Sequence, residues 1–355
     1  MPLFSLFING WSHLCNKKIS VTLRVKLISE INFRMEIHMS KFSIPQLIRV
    51  AELYYYRKKS QKEISIMLNI SPATVSRMIQ EALDIGIVKV EIQEVTGDYK
   101  EIEKEIEKRY DLEKVVIIKN PRYKDDWHIK KLLGKATGEL FYKVAETGDR
   151  VGIGAGETML EMISSLSYDS SLLGIHLLPL MGGWGFTLLH RETNKLVISM
   201  ASILQCDYSL LLAPAFVSTP EVKDVFLKED QINQVVKLWE GLNMAVFSIG
   251  PEVEHSVYPT IANGQNNMID KEQAVGDVVG KIIDREGNEL EIPYNKKIIS
   301  IPFTLLKKVP KRIGVGGGQY KYRSIKAALN GGLINYLVTD YNTGKSILED
   351  GGGKI

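Results

Sequence analysis

Three glycine-rich stretches and one short polar helix face carry the residues of this sequence best suited to chemistry. The first stretch, Gly152-Ile153-Gly154-Ala155-Gly156-Glu157-Thr158, runs from an apolar segment into a helical one. Glycines let successive backbone N–H groups close on an anion, Thr158 can cap the helix and donate a hydroxyl, and a helix N-terminus favours negative charge. The second is Met181-Gly182-Gly183-Trp184-Gly185. The third is Gly314-Val315-Gly316-Gly317-Gly318-Gln319-Tyr320-Lys321, where Lys321 opens a helix and can neutralise a phosphate. The dinucleotide fingerprint G-x-G-x-x-G fails in both the first and the third, because Glu157 and Gln319 stand where its last glycine belongs. Nor does a G-K-[ST] follow, so a smaller phosphorylated ligand fits better than a nucleotide, and no cofactor or metal is expected.

The polar face lies in QKEISIMLNISPATVSRMIQ, Gln61 to Gln80, which reads as a helix-turn-helix. Ile64 and Leu68 share one face of a first helix. Asn69 tolerates the left-handed corner, and Ile70 plugs the angle. Ser71 is an N-cap and Pro72 takes the first helical position, where a missing N–H costs nothing. Val75, Met78 and Ile79 point to the core, leaving Ala73, Thr74, Ser76, Arg77 and Gln80 outward. Short residues let a backbone approach the major groove while Arg and Gln reach base edges. Arg57, Lys58, Lys59 and Lys62 can grip phosphates. From Ser43 to Lys58 a first helix is expected, with Leu47, Val50, Leu53 and Tyr54 inward. Ile87 to Ile92 alternates as a strand, the wing of a winged helix.

The elements that position the glycine loops follow from the texture beyond Leu112. Apolar strand-like runs at 115–119, 150–156, 176–183, 208–214, 244–250, 296–301, 312–318 and 334–340 alternate with helical segments near 126–145, 158–166, 193–204, 230–240 and 321–330. Such alternation predicts a mostly parallel α/β sheet covered on both faces, with ligands at the carboxyl ends of its strands. Between wing and sheet, Tyr99 to Tyr110 is helical with Ile102, Ile106 and Tyr110 on one stripe, a linker helix or a coiled-coil contact. The expected domains are therefore 39–95 for the winged helix-turn-helix, 96–111 for the linker helix and 112–350 for the sheet-based effector domain. Residues 1–38 carry no placeable caps or turns, and MSKFSIPQLIRV reads like a normal start at Met39, so they are expected to be an extension or a disordered arm.

At 355 residues the chain has room for two or three domains, and 45% hydrophobic with 25% charged residues is a globular composition. The 45 Lys and Arg against 42 Asp and Glu leave a formal charge of only +3, so basicity is local: Arg57, Lys58, Lys59, Lys62 and Arg77 against Glu63 alone. Cys15 and Cys206 match no metal or redox spacing and are expected as reduced thiols in the cytoplasm. No apolar run reaches membrane-spanning length. His128, His176, His190 and His255 have no partner at triad or metal spacing and are expected in core or surface roles. Trp184 either stacks on a sugar ring or packs a wall, and Tyr54, Tyr55 and Tyr56 are expected to pack.

From about Ile44 onward the sequence resembles the SorC-type sugar-binding transcriptional regulators. The matching pieces are the helix-turn-helix, VGIGAGETM, LLPLMGGWG, LLLAPAFVSTPEV, AVGDVVGKIIDREGN and RIGVGGGQYKYRSIKAALNGGLINYLVTD. The resemblance implies a winged helix followed by an effector domain similar to sugar-phosphate isomerases and deaminases. It implies a phosphorylated sugar or polyol effector, and a homo-oligomer, dimer or tetramer, on double-stranded operator DNA. By matching motif, Gly154, Gly156, Thr158, Gly183, Gly185, Lys321 and Asp340 line the pocket, and Asp277 or Asp284 meets sugar hydroxyls. Some relatives carry a lysine before the paired glycines and form an imine with an aldehyde; Met181 stands there, so non-covalent binding is expected. Glu157 would repel a phosphate if it pointed inward. The alternative reading is a sugar-phosphate isomerase or deaminase with an appended DNA-binding head, although no acid/base constellation stands out.

Overall fold

The computed structural model of the chain describes residues 42–85, 87–88, 99–119, 126–185, 192–256, 270, 273–318 and 320–349. The chain divides into two compact units between Glu94 and Val95. The expectations for residues 1–38 (Cys15 among them), for Lys89 to Ile92 of the wing, and for His190 and Gln319 lie outside the described residues.

The first unit is a three-helix head. Helix α1, Ile44–Ala51, starts at a capping box in which Ser43 and Gln46 engage each other's backbone. Its continuation differs from the single helix expected to Lys58: Glu52–Tyr56 widens into a π turn closed by Arg57 N donating to Glu52 O, and Lys58 turns left-handed at φ 54°. Helix α2, Gln61–Leu68, begins at a second capping box, Ser60 with Glu63, and ends at Asn69, whose φ 52° and ψ 48° make the left-handed corner. Helix α3, Pro72–Asp84, is capped by Ser71, whose side chain accepts from Thr74 N. Leu47, Val50, Ile64 and Val75 are fully buried between the three helices, with Met78, Ile79 and Ala82 beside them. Each such aliphatic side chain contributes roughly 1.5–3 kcal/mol by leaving water.

The second unit is built on a seven-stranded sheet. Its strands are β1 Lys114–Ile118, β2 Arg150–Ile153, β3 His176–Pro179, β4 Asp207–Tyr208, β5 Met244–Ser248, β8 Lys311–Val315 and β9 Tyr336–Asp340; a separate hairpin pairs β6 Gly276–Val278 with β7 Lys281–Ile283. Every pair in the large sheet is parallel and the order is β1-β9-β8-β5-β2-β3-β4. Successive residues feed opposite faces. Ala245 and Phe247 enter one core while Met244 and Val246 enter the other, and Leu337 and Val338 divide the same way.

Helices cover both faces. In chain order they are α4 Tyr99–Tyr110, α5 Asp126–Val144, α6 Glu157–Ser165, α7 Thr193–Leu204, α8 Pro220–Lys228, α9 Asp230–Leu238, short turns α10 Pro293–Lys296 and α11 Phe303–Leu306, then α12 Tyr322–Asn330 and α13 Tyr341–Glu349. Helices α5, α6 and α7 supply the core on one face; Ile106 of α4, Ile232 of α9, Ile325 of α12 and Ile347 of α13 supply the other. The stripe Ile102, Ile106 and Tyr110 thus packs into this unit, against β1 and α13.

Two apolar runs do not become the strands expected of them. In 208–214 the pairing stops at Tyr208, because the Asn194 side chain takes over the backbone of Leu211, accepting from its N–H and donating to its carbonyl at 3.0 Å each. In 296–301 the chain instead straps the ends of β3 and β4: Ile301 N donates to Leu180 O, Gly182 N to Ile299 O and Ile299 N to Ala215 O. Helix α8 was not foreseen, although Thr219 accepting from Val222 N ahead of Pro220 repeats the Ser71-Pro72 signature.

Candidate functional site

In the strand order, β3 and β4 lie to one side of β2 while β5, β8, β9 and β1 lie to the other. The order therefore reverses between β2 and β5, and the crevice outside their carboxyl ends is where an open parallel sheet takes a ligand. Gly154, Gly156 and Thr158 reach it from β2. Gly154 is needed for strand packing: its amide donates to Val246 O, and a Cβ there would stand 2.5 Å from Phe247 Cβ. Gly156 sits at φ 134°, a value that only glycine takes without strain, and is itself the N-cap of α6. Thr158 was expected to cap this helix; it lies two residues later, buried in the first turn. The helix start carries no side-chain cap, and the amides of Ala155, Gly156 and Thr158 donate to no acceptor among the described residues. Such a start favours an anion.

Across from it, at the end of β5, stands Ser248. Its hydroxyl is buried without a hydrogen-bond partner among the described residues, and a Cβ on Gly156 would come within 2.7 Å of it. Sequence reasoning passed over this residue, though a lone hydroxyl closing the apolar run Met244-Ala245-Val246-Phe247 was a usable signal. One residue on, Ile249 O accepts from Lys321 Nζ at 2.8 Å. Lys321 is the N-cap of α12 rather than its first helical residue, and its side chain reaches back from the β8–α12 loop to the switch point. Asp277, on β6, lies against Gly250, where any Cβ would overlap its carboxylate, and accepts from Ser256 Oγ at 3.4 Å. Asp284 goes elsewhere: it closes its own turn by accepting from Asn288 N at 2.7 Å and from the Asn288 side chain.

The loops around this point are tied together. Glu252 N donates to Tyr320 O at 3.0 Å, and the His255 ring lies 3.8 Å from that of Tyr320. Asp340 ends β9 fully buried, and its carboxylate accepts from Gly318 N at 2.7 Å and Thr343 Oγ1 at 2.6 Å. Asp340 thereby latches the β8 glycine loop. Gly183 and Gly185 face another group too. A Cβ on Gly183 would overlap the Glu192 carboxylate, and Gly185 N donates to Glu192 Oε2 at 3.3 Å. These glycines belong to an open cleft of about 520 Å³ that also takes in Asn194, Leu211 and Phe216. The Glu192 carboxylate thus stands at the glycines of that cleft.

Glu157, the first helical residue of α6, is drawn away by a cation that sequence reasoning missed. Lys130 Nζ on α5 lies 2.7 Å from Glu157 Oε2 and also pairs with Asp126. Burial by itself would depress the Lys130 pKa, but the hydrogen bonds that its ammonium donates to the Asp126 and Glu157 carboxylates outweigh it and hold the ammonium above its ordinary value. Among the lone residues, Trp184 packs as wall beside Met181, Ala215 and Tyr294, and His176 shares a 2.8 Å hydrogen bond with Ser209. Burial, with Asp207 adding to it, pushes the Cys206 thiol up to about 11, so it is a poor nucleophile.

In the head, Ala73, Ser76, Arg77 and Gln80 are exposed along α3 and Thr74 is half-buried. Arg77 Nε lies over Ala73 O at 3.4 Å, Gln80 holds Asp84 at 2.9 Å, and the Ser71 and Thr74 hydroxyls share a hydrogen bond. Arg57, Lys58 and Lys62 are exposed; Lys59 is paired with Glu63 at 3.0 Å. Tyr54 and Tyr55 pack edge to face at 5.0 Å.

Residues 94–349 match the family described as "Putative sugar-binding domain". The chain is 26% identical to the deoxyribonucleoside regulator of Bacillus subtilis over 305 residues, 85% of this chain and 97% of that one. It is 28% identical to the transcriptional regulator LsrR of Escherichia coli K12 over 309 residues, covering 85% and 94%. The crystal structure of the full-length sorbitol operon regulator SorC of Klebsiella pneumoniae shares the fold, with a TM-score of 0.73 at 22% identity, over 87% of this chain and all of that one.

Proposed function

The chain belongs to the SorC-type family of sugar-binding transcriptional regulators, and from that premise we propose that its operator binding is controlled by a small phosphorylated sugar or polyol held at the β2/β5 switch point. The observation that carries this reading is the convergence there of the uncapped start of α6, the unpartnered Ser248 hydroxyl, the Lys321 ammonium and the Asp277 carboxylate. Amides and an ammonium suit a phosphate; a buried carboxylate and a hydroxyl suit sugar hydroxyls. Met181 lies where an imine-forming lysine would stand, and binding is non-covalent.

The reader is residues 39–95 as a winged helix-turn-helix, and 96–111, whose helix α4 packs into the second unit, joins 112–350 in the sensor. Arg77, Gln80, Thr74 and Ser76 address base edges, while Ser71 and Ala73 set how closely α3 approaches; Arg57, Lys58 and Lys62, with Lys59 released from Glu63, hold phosphates. A palindromic site bound by a dimer or tetramer in the cytoplasm completes the picture. No described helix is long and apolar enough to cross a membrane. The relatives are named regulators, not enzymes, and the alternative of a sugar-phosphate isomerase or deaminase is set aside. The ligand acts only through its differential affinity for the DNA-binding and released arrangements.

A thermal-shift screen of pentose, hexose and polyol phosphates beside their unphosphorylated forms tests the sensor half. A rise in melting temperature confined to phosphorylated members is expected. Stabilisation by the free sugars alone would refute the phosphate, and stabilisation by none would refute the site.

A further inference from the structure

Resting on the reading of the β2–α6 loop as the anion cradle, we propose that Lys130 is a positioning residue that holds the Glu157 carboxylate off that cradle. A glutamate in the first turn of a helix is stabilised by that helix's own N-terminal amides. Glu157 is therefore the nearest competitor for any anion arriving at the start of α6. Its carboxylate instead lies 2.7 Å from Lys130 Nζ, on another helix.

The geometry that fixes this pair is built into the packing of α5 on α6. Along α5, Lys130, Gly134 and Gly138 lie one turn apart on a single row; along α6, Glu157, Glu161 and Ser165 do the same. A Cβ on Gly134 would stand 2.6 Å from Glu161 Cβ and from Met162 N, and one on Gly138 would stand 2.7 Å from Ser165 Oγ. The two glycines let the helices touch along these rows, which leaves Lys130 facing Glu157 where both helices begin. Asp126, one turn before Lys130, pairs with the same ammonium and orients it. Lys130 thus need not touch the ligand. It lowers the repulsion that a dianion would meet, by fixing where a fixed negative charge sits.

Epistasis in the full chain separates this role from direct contact. The variants are Lys130→Met, Lys130→Arg, Glu157→Gln and the double Lys130→Met/Glu157→Gln, each checked by thermal melting. Binding is measured by calorimetry with inorganic phosphate and with whichever sugar phosphate stabilises the wild type. Lys130→Met should weaken binding by on the order of tenfold, because a carboxylate is released beside the anion. Lys130→Arg should bind nearly as the wild type does, Glu157→Gln as well or better, and the double variant like Glu157→Gln. A double variant as weak as Lys130→Met would make Lys130 a direct ligand or a structural strut and overturn the proposal, as would undiminished binding by Lys130→Met. Binding of neither probe by wild type or Glu157→Gln would instead remove the anion cradle itself, and the proposal with it.

Discussion

In the head, the residues proposed to read bases stand on one helix whose start and corner are set by neighbours: Asn69 turns the chain, Ser71 caps it and Val75 anchors it, all within Gln61 to Gln80. In the body, several residues of the candidate site answer to distant partners. Lys321 reaches Ile249, 72 residues back; Gly318 is held by Asp340, 22 residues on; Glu157 is held by Lys130, 27 residues away. The reading face of the head is largely exposed and placed by local code. The polar groups named in the body are half-buried or buried and several are committed to one another, so altering one should disturb a whole loop.

The sharpest way to break that contrast is Asp340→Ala. Removing the buried carboxylate shared by Gly318 N, Thr343 N and Thr343 Oγ1 leaves Gly318 N only the Thr343 hydroxyl, and should cost about 3 kcal/mol and remove ligand binding with it; an unchanged melting temperature would show that the latch is idle. Next in size is Arg77→Ala, which should cost about 1–3 kcal/mol on the operator and little on random DNA, with melting untouched. Lys62→Ala is its control and should weaken both DNAs alike and lower the salt slope; equal losses on the two DNAs for both variants would deny Arg77 its reading role. Ser71→Ala should cost about 1 kcal/mol of head stability through the lost cap, seen in hydrogen exchange confined to α3.

The smallest effect is one of pH. The hydrogen bond from the Ser60 amide, helped by Lys59, lowers the Glu63 pKa from 4.5 to about 2. A depressed folded value means that the unfolded chain takes up the proton first. This contribution to head stability is complete above 4.5 and is lost as pH falls towards about 2. Glu63→Gln should flatten that slope; an NMR titration midpoint near 4.5 in the wild type would rule it out.

The same contrast explains what could be read from the sequence. Caps, corners and apolar rows are written in adjacent residues, so the helices of the head and the parallel strands β1, β2, β5, β8 and β9 were legible. Ile298 to Ile301 looked like another strand because an apolar run says buried, not paired; its partners Leu180, Gly182 and Ala215 are known only once the loops meet. Glycines announced turns, yet which turn is open and which is filled depends on Glu192, Asp340 and Lys130, and those acids and bases resemble ordinary surface charge in the sequence. The π turn at Glu52–Tyr56 left no mark in the spacing of Leu47, Val50 and Leu53, because all three face inward either way.

The most direct test joins the two regions in one experiment. Fluorescence anisotropy of the promoter fragment upstream of the chain's own gene is followed at physiological salt, with and without the sugar phosphate that most raises the melting temperature. Specific binding whose midpoint moves with that ligand, and moves no longer in Asp340→Ala, is the expected result. A midpoint that stays fixed while the ligand demonstrably binds would contradict control of the reader by the sensor.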